Sequence, residues 1–246
     1  MKRIAVITPT IGTHYLTDAV HSVGMQAEHW LVVDGVVHAD PVISRVQAHR
    51  YNQRIIVLPE NTGTPIKGFN GMPYTGFFNG YRINAAIPLL TNADYIMFLD
   101  EDNWFEPDHI PSMVKLMEEK NLDWCYSLRK IVDKEGNFLF NDDCDSLGEY
   151  PSWKYGQKFV DMNCYLFKNC VISQTAHVLF DLVRTYDGDK NLFKEVSNRF
   201  PNFAGTGKYT VNYRMTRPNQ EDWYREGNEI IRKQYSLNFP WSNNDN

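Results

Sequence analysis

The sequence is poor in cysteine and has no long hydrophobic run, and each absence excludes a class of protein. Its four cysteines, at 125, 144, 164 and 170, form no Cys-x-x-Cys pair, so neither a zinc ribbon nor a disulfide framework is predicted. No stretch approaches the ~20 consecutive apolar residues that cross a bilayer. The first apolar run stops at Pro9, which is too early for a secretory leader. We therefore expect a reduced, cytoplasmic protein without a transmembrane segment.

Clustered positive charge is also missing. The chain has 25 Lys and Arg against 30 Asp and Glu, a net charge of −5, and no run of basic residues. Proteins that coat nucleic acids neutralise phosphates with clustered cations, so the composition argues against a nucleic acid partner, although a local basic groove stays open. The negative charge is itself local, because residues 94–149 carry 15 acidic and 5 basic residues.

The 246 residues, 43% of them hydrophobic, are enough for one or two domains with a sizeable core. In the first half short apolar runs alternate with amphipathic stretches, a pattern typical of βα units on a mainly parallel sheet. No internal repeat or linker is present, so we predict a single α/β domain. The predicted strands are 3–8, 29–34, 54–58, 94–99, 122–131, 136–140, 158–167 and 208–214. The predicted helices are 14–26, 77–90, 107–120, 170–186, 189–199 and 219–235.

Asp100 and Asp102 directly follow the strand predicted at 94–99. In open α/β sheets, ligands bind beyond the carboxyl ends of the strands. Carboxylate oxygens suit Mg²⁺ or Mn²⁺, and such ions bind through one or two carboxylates plus substrate phosphates. The alternative is a solvated acidic loop that caps the helix beginning near Pro107.

Two other predicted strands also end in polar residues. Thr8-Pro9-Thr10 ends the first strand and Asp34-Gly35 ends the second. Their hydroxyl groups, backbone amides and carboxylate could hold a nucleotide at the same edge of the sheet. The alternative for both is an ordinary turn at the end of a strand.

The order of these motifs resembles that of the inverting glycosyltransferases of family 2, which have the GT-A fold. The motifs in order are IAVITPT at 4–10, LVVDG at 31–35, ENTG at 60–63, Gly80-x-Arg82-x-Asn84, and YIMFLDED at 95–102 followed by Pro107-Asp108. The resemblance covers residues 3–115. It implies a Rossmann-like, mainly parallel sheet flanked by helices, with a small antiparallel acceptor-side portion. Residues 1–115 would be the nucleotide-sugar-binding half, 116–216 the acceptor-side half, and 217–246 a C-terminal helix and tail.

The resemblance also implies roles for individual residues around a nucleotide-diphosphate sugar, with a UDP-sugar favoured. The metal, Mn²⁺ or Mg²⁺, would be held by Asp102 and Asp100 and would bridge the diphosphate. Asp100 would also touch the ribose, and Glu101 adds charge to the donor site. Many relatives have Asp-Asp-Gly or Asp-Asn-Gly where this chain has Asp34-Gly35, which leaves the nucleobase open. The remaining donor-site residues would be Thr8, Pro9, Thr10 and Asp34 on the nucleotide, and Arg82 and Asn84 on the pyrophosphate or sugar.

Inverting transfer needs a general base for the acceptor hydroxyl and positive charge for the leaving diphosphate, and a metal can supply the latter as a Lewis acid. The resemblance places the base at Asp189, at the start of the last catalytic helix, although the usual Glu-Asp pair is replaced by Gly188-Asp189. Asp161, in the strand predicted at 158–167, is the rival, and Asp187 and the acids of the loop at 142–149 are further candidates. Simple helix capping is the alternative role for Asp189.

The function expected is metal-dependent transfer of a hexosyl or pentosyl group to a hydroxyl of a glycan, a lipid or another acceptor. One alternative is a nucleotidyltransferase, but those enzymes usually have a Gly-rich loop with a cation after the first strand, and here the loop is Thr-Ile-Gly-Thr-His. The other is a catalytically silent nucleotide-sugar-binding module. Aromatic faces pack on sugar rings, although most aromatics form the core; the candidates in irregular segments are Trp104, Tyr150, Trp153, Tyr155 and Trp223.

Overall fold

The computed structural model describes residues 2–47, 52–62, 80–180, 188–216 and 220–242. The strands in this part of the chain are β1 Ile4–Thr10, β2 Glu28–Val33, β3 Gln53–Val57, β4 Tyr95–Phe98, β5 Trp104–Phe105, β6 Trp124–Val132, β7 Phe138–Asn141, β8 Tyr165–Lys168 and β9 Phe203–Arg214. The helices are α1 Leu16–Val23, α2 Ala39–Val46, α3 Tyr81–Ala86, α4 His109–Glu119, α5 Asn169–Thr175, α6 Gly188–Arg199 and α7 Gln220–Tyr235.

The strands form one sheet in the order β3-β2-β1-β4-β8-β6-β9-β5, with β7 paired to β6. Strands β3, β2, β1 and β4 are mutually parallel. Strand β8 is antiparallel to both β4 and β6, whereas β6 and β9 run parallel to each other. The sheet therefore has the parallel first half that the sequence predicts and a mixed second half, in which β8, β7 and β5 are antiparallel to their neighbours.

The central strands are buried on both faces, which explains why they are continuous apolar runs rather than alternating ones. In β1 residues 5–7 are fully buried, and in β4 so are residues 96–98. Helices cover both faces because each amphipathic helix buries its own apolar stripe against the sheet. A second cluster of buried apolar residues lies around α7, which packs against the distal part of β6 and against the loop after β7.

The strand directions bring the ends of distant segments to one edge of the sheet, here named the carboxyl edge. Strands β1, β2 and β4 end at this edge because they are parallel. Strand β8 runs the opposite way, with Leu166 opposite Met97, so residues 161–164 before it lie beyond the end of β4. Strands β6 and β9 run toward the same edge. The carboxyl edge thus gathers Thr10, Asp34, Asp100, Arg129, Asp161 and Arg214.

Several local predictions from the sequence are wrong. The segment 158–164 is not strand: Asp161 accepts a hydrogen bond from the Asn163 backbone N–H at 3.0 Å and starts a short 3-10 helix at 162–164, an Asx-type turn that replaces ladder pairing. The helix predicted from Pro107 begins at His109, and α2 and β5 were not predicted. Residues 77–79, 181–187 and most of the loop at 59–76 lie outside the described residues.

In the described part of the chain, no helix combines the length and the apolar character that a membrane span requires. The four cysteines carry free thiols there. Three of them, Cys125, Cys144 and Cys164, are buried, and Cys170 is exposed.

Candidate active site

Glu101 turns back toward β1 and braces the loop that follows that strand. Its carboxylate accepts hydrogen bonds from Thr10 Oγ1 at 2.6 Å and from the backbone N–H groups of Ile11 at 3.3 Å and Thr13 at 3.0 Å. A carboxylate with three donors in one loop fixes that loop in place. The structure therefore gives Glu101 a bracing contact in the protein where the sequence predicted contact with the donor.

Thr8 and Pro9 are both engaged within the fold. The Thr8 hydroxyl is buried and lies 2.8 Å from His29 Nε2; burial lowers the pKa of His29 to about 3, so this ring is neutral. The predicted contact between the Thr8 hydroxyl and a nucleotide does not fit this geometry. The Pro9 ring packs against Gly80, where a Cβ would collide with it, so this close approach requires glycine just before α3.

Asp34, Asn84 and Arg82 lie around the ends of β1 and β2. Asp34 is buried, and its Oδ1 accepts hydrogen bonds from the backbone N–H of Thr62 at 2.6 Å and from Thr62 Oγ1 at 2.9 Å. Asn84 is buried on α3, and its Oδ1 has no hydrogen-bond partner among the described residues. Arg82 is half-buried on the same helix, which packs against β1. Their donor-binding roles stay predictions.

Asn163 joins two carboxylates at the carboxyl edge. Its Oδ1 accepts a hydrogen bond from the Asp100 backbone N–H at 2.5 Å, and its Nδ2 donates to Asp100 Oδ2 at 3.0 Å. The same Nδ2 also donates to Asp161 Oδ1 at 2.7 Å. One buried amide therefore holds Asp100 and Asp161 in a fixed relation, 61 residues apart in sequence.

Asp100 and Asp102 lie in a field of negative charge. Burial, together with the nearby carboxylates of Asp102 and Asp161, raises the pKa of Asp100 to about 7. Burial, with Glu101 beside it, raises the pKa of Asp102 to about 6. The Arg214 guanidinium opposes the second shift, but its Nε donates to the Asp102 backbone oxygen, at 3.0 Å, rather than to the carboxylate.

These two carboxylates fit a divalent cation that is shared with a ligand. Within the described ranges, no group of three or more His, Cys, Asp or Glu is arranged to hold a metal ion. Mg²⁺ and Mn²⁺ commonly bind through one or two carboxylates and take further oxygens from substrate phosphates. The hard oxygens of Asp100 and Asp102, whose pKa values are raised chiefly by burial and also by neighbouring carboxylates, are suited to this shared mode. The metal stays a prediction.

Asp189 lies in the first turn of α6, as predicted, and contacts the first residue of α3. Tyr81 donates its hydroxyl to Asp189 Oδ1 at 2.9 Å. Gly188 allows this contact, because a Cβ there would collide with the Tyr81 ring. Burial raises the pKa of Asp189 to about 8, Asp161 and Asp100 add to the rise, and the Tyr81 hydrogen bond opposes it. A carboxylate with a pKa near neutrality is suited to proton transfer.

Asp161, the rival for the base, has both carboxylate oxygens occupied. Arg129 NH1 donates to its Oδ2 at 2.5 Å, and its Oδ1 accepts from the backbone N–H of Asn163 at 3.0 Å and from Asn163 Nδ2 at 2.7 Å. The carboxylate is therefore fixed in orientation by a buried cation and an amide.

Arg129 is the centre of a buried charge cluster that the sequence did not reveal. Besides Asp161, its guanidinium donates to Asp142 Oδ2 at 2.8 Å, to Asp145 Oδ2 at 3.0 Å and to the Tyr224 hydroxyl at 2.7 Å. The ring of Tyr213 covers it at 4.3 Å. The side chain is 3% exposed. The only hint in the sequence was a basic residue in an otherwise apolar strand upstream of an acidic loop.

A cavity of about 280 Å³ opens beside Asp189 and Asp161. Of the aromatic candidates from irregular segments, Tyr155 and Trp223 line it. Trp153 packs on Trp223, and Trp104 covers the Arg214 guanidinium at 4.8 Å. The full lining is Arg129, Asp145, Ser152, Tyr155, Gln157, Phe159, Asp161, Asp189, Lys190, Tyr213, Trp223 and Tyr224.

The chain is similar to one protein family in sequence and to several solved structures in fold. The family described as Glycosyl transferase family 2 matches residues 81–187, a segment shorter than half of the chain that contains Asp100, Asp102 and Asp161. The match confirms the resemblance read from the motifs. No curated protein matches the chain.

The solved structures similar to this chain include several of S. aureus TarS, all at 12% identity and covering 96% of this chain. TarS 1-349 in complex with UDP-GlcNAc matches with a TM-score of 0.61 over 67% of its own length. TarS 1-349 in complex with UDP matches at 0.58 over 66%, and a longer TarS chain at 0.59 over 40%. At this identity the likeness shows the fold, and the fold is the GT-A fold that the motifs implied.

Proposed function

We propose that this family 2-like chain is a nucleotide-sugar glycosyltransferase that transfers one glycosyl group, with inversion, to a hydroxyl of an acceptor. The observation that carries the proposal is the position of Asp189, whose carboxylate lines the cavity and also lies within electrostatic reach of Asp100 at the carboxyl edge. Proton transfer to a base between donor and acceptor is what single displacement requires. The UDP-GlcNAc and UDP bound to TarS favour a UDP-sugar as donor.

In the proposed step, the acceptor hydroxyl loses its proton to Asp189 while its oxygen forms a bond to the anomeric carbon. The bond from that carbon to the diphosphate oxygen breaks, and the electron pair leaves with the nucleoside diphosphate. We assign the base to Asp189 rather than Asp161 because both oxygens of Asp161 are already hydrogen-bonded. The Tyr81 hydroxyl orients Asp189 through its Oδ1 and leaves Oδ2 for the incoming proton.

On the donor side, Asp102 and Asp100 would hold Mn²⁺ or Mg²⁺, which neutralises charge on the departing diphosphate. Asp34 and the backbone of residues 8–10 would contact the nucleoside, and Arg82 and Asn84 the pyrophosphate or sugar. Support for this placement comes from the strand ends that meet at the carboxyl edge. The division at residues 115 and 216, the hexosyl or pentosyl character of the transferred group and the cytoplasmic location stay predictions.

The decisive experiment measures UDP binding by thermal shift and UDP release from UDP-sugars, with and without Mn²⁺. Asp189→Asn is expected to lower kcat by about 10²–10⁴-fold, the usual contribution of a general base, while the thermal shift given by UDP is retained. Asp222→Asn is the matched control, because Asp222 is an exposed acid in the first turn of α7.

Three outcomes would contradict the proposal in different ways. Full turnover by Asp189→Asn would move the base to Asp161 or elsewhere. Absence of both UDP binding and UDP release would remove the glycosyltransferase assignment. Pyrophosphate release from UTP and a sugar phosphate would replace it with nucleotidyl transfer.

A further inference from the structure

The cavity beside Asp189 includes Arg129 and Asp161 of the carboxyl edge, and its other walls come from segments after residue 140. They are the loop at 145–159, the end of β9, the start of α6 and α7. Its volume of about 280 Å³ lies at the lower end of the range for small-molecule sites, about 300–1,000 Å³. The cavity therefore has room for one ring at the reacting position, with longer acceptors continuing out of its mouth.

Tyr155 and Trp223 line the cavity without being fully buried, as does Tyr213, whose ring covers Arg129. Tyr155 is 67% exposed, a high value for a large aromatic side chain. Trp223 is half-buried and tilts against Trp153 at a centroid distance of 5.4 Å. Tyr and Trp combine an apolar ring face with a polar tip. Such faces complement the C–H surface of a sugar ring, and the polar tips can reach its hydroxyl groups.

The charges in the cavity disfavour an anionic acceptor. Three carboxylates, Asp145, Asp161 and Asp189, line it against two cations, Arg129 and Lys190. Arg129 already donates to three carboxylates and to a tyrosine hydroxyl, so its donors are committed to the protein. A phosphate placed here would find the Arg129 donors already taken and would lie beside the Asp161 carboxylate that Arg129 holds, which makes its desolvation costly.

The polar groups of the cavity disfavour an alkyl chain as well. Ser152 offers a hydroxyl, Gln157 an amide and Asp145 a carboxylate that is 19% exposed. An alkyl chain would remove water from these groups without replacing their hydrogen bonds. Hydroxyl groups of a ligand can both donate to and accept from such a set.

Resting on the proposed function, we propose that the acceptor is a neutral saccharide. Its ring lies against Tyr155 and Trp223, its hydroxyls bond to Asp145, Gln157 and Ser152, and one hydroxyl is directed to Asp189. Acceptor choice is thus made by the aromatic faces and by the commitment of the Arg129 donors to the protein.

The test is a titration that does not depend on turnover. Methyl glycosides of glucose, galactose, mannose and N-acetylglucosamine are titrated calorimetrically into the full chain, alone and with UDP and Mn²⁺. The phosphorylated forms of the same sugars and a long-chain alcohol are titrated in parallel. At least one neutral glycoside should bind, and its phosphorylated form should bind about tenfold more weakly.

Variants of the lining residues test whether the glycosides bind in the cavity. Tyr155→Ala and Trp223→Ala should each weaken glycoside binding about tenfold, the upper range for loss of an aromatic contact. Phe138→Ala, which removes an exposed aromatic of β7 outside the cavity lining, should leave it unchanged. Circular dichroism and UDP-induced thermal shifts confirm that each variant is folded.

The proposal is overturned if the phosphorylated sugars or the alcohol bind more tightly, if no neutral glycoside binds while UDP does, or if both aromatic variants bind like the wild type. Failure of UDP to bind contradicts the donor function instead. That result is recognised separately, because the titrations without nucleotide report on the cavity alone.

Discussion

This protein contains two groups of buried carboxylates that differ in their counter-charge. A buried arginine pairs with the first group, and the second group has no paired cation in the described structure. Asp142, Asp145 and Asp161 surround the Arg129 guanidinium at 2.5–3.0 Å. Asp100 and Asp102, at the end of β4, have no such cation on their carboxylates in the described structure, and burial raises their pKa values to about 7 and about 6.

The paired cation, rather than the pKa alone, distinguishes the two groups, because burial also raises the pKa of Asp145 to about 7. A buried carboxylate that is paired and hydrogen-bonded fixes the positions of neighbouring segments, and removing its partner is costly. A buried carboxylate without a cation keeps an unfavourable charge that a bound ion can relieve, and such perturbed groups concentrate at functional sites. Asn163 connects the two groups, because its amide contacts both Asp161 and Asp100.

Breaking the compensated group should give the largest change in stability. Arg129→Met leaves three buried carboxylates without their cation, and we expect the free energy of unfolding to fall by about 3–5 kcal/mol, measured by urea denaturation. Asp102→Asn, in the uncompensated group, is the contrasting variant and should not lower stability in metal-free buffer. Equal stability of Arg129→Met and the wild type would contradict the distinction; Arg129→Lys serves if Arg129→Met does not fold.

The pH dependence of transfer tests Asp189, a third buried acid that lies within electrostatic reach of both groups. The groups facing it are Asp161, Asp100, Arg129 and Tyr81, and its pKa is raised to about 8, chiefly by burial. The ionised carboxylate is the base, so activity is lost as the pH falls through this pKa, and kcat/KM should drop about tenfold per pH unit well below it, or about fiftyfold from pH 8 to 6.

Tyr81→Phe sharpens the same measurement. The Tyr81 hydrogen bond lowers the pKa of Asp189, so its removal should move the midpoint of the profile to higher pH. A profile whose midpoint lies near pH 4, the ordinary range of an aspartate, would show that Asp189 is not the titrating base.

Asn163→Ala should remove the hydrogen bonds that join the two groups and should lower kcat/KM moderately. Asp100 loses the amide that orients its carboxylate, and we expect about a tenfold loss in kcat/KM, as for outer-shell partners of ligating carboxylates. The Mn²⁺ concentration for half-maximal activity should rise in parallel, which a purely structural loss would not produce. Asn202→Ala is the control, because this asparagine bonds a backbone oxygen at the surface. An unchanged Mn²⁺ requirement would count against the coupling.

The smallest effect is expected for an ion pair that is exposed rather than buried. Lys233 and Glu229 form an i,i+4 pair on α7, with side chains 74% and 68% exposed. Lys233→Ala should change the free energy of unfolding by less than about 0.5 kcal/mol, measured under the same urea conditions. A loss comparable to that of Arg129→Met would show that burial is not what distinguishes the pairs.

The sequence predicted those site residues that are identified by their position at the end of one strand or the start of one helix. Asp100 and Asp102 follow a buried strand, and Asp189 lies one residue after the first residue of α6. Glu101 stands between these two carboxylates in the sequence, but residues 101–102 form a turn, and the Glu101 carboxylate lies against the β1 loop. No local sequence pattern shows that direction, because the contact joins residues about 90 positions apart.

The local sequence pattern could not identify Arg129 as the centre of a buried charge cluster. Strand β6 is buried on both faces except at Lys130, so there is no alternation to show which basic residue points inward. Its acidic partners are 13, 16 and 32 residues away, and they are brought together by the pairing of β6 with β8 and by the loop after β7. Tyr81 was hidden in the same way, since its partner Asp189 is 108 residues away.

Two consecutive residues of α7 contact the candidate site, whose other residues lie far upstream in the sequence. Trp223 lines the cavity, and the Tyr224 hydroxyl accepts a hydrogen bond from Arg129. A chain cut before α7 would retain Asp100, Asp102 and Asp189 but lose one wall of the cavity and one partner of the buried arginine. If the cavity takes the acceptor as proposed, substitutions in this helix and in the loop at 145–159 should change the acceptor bound without touching Asp100 and Asp102, so the two specificities could be engineered separately.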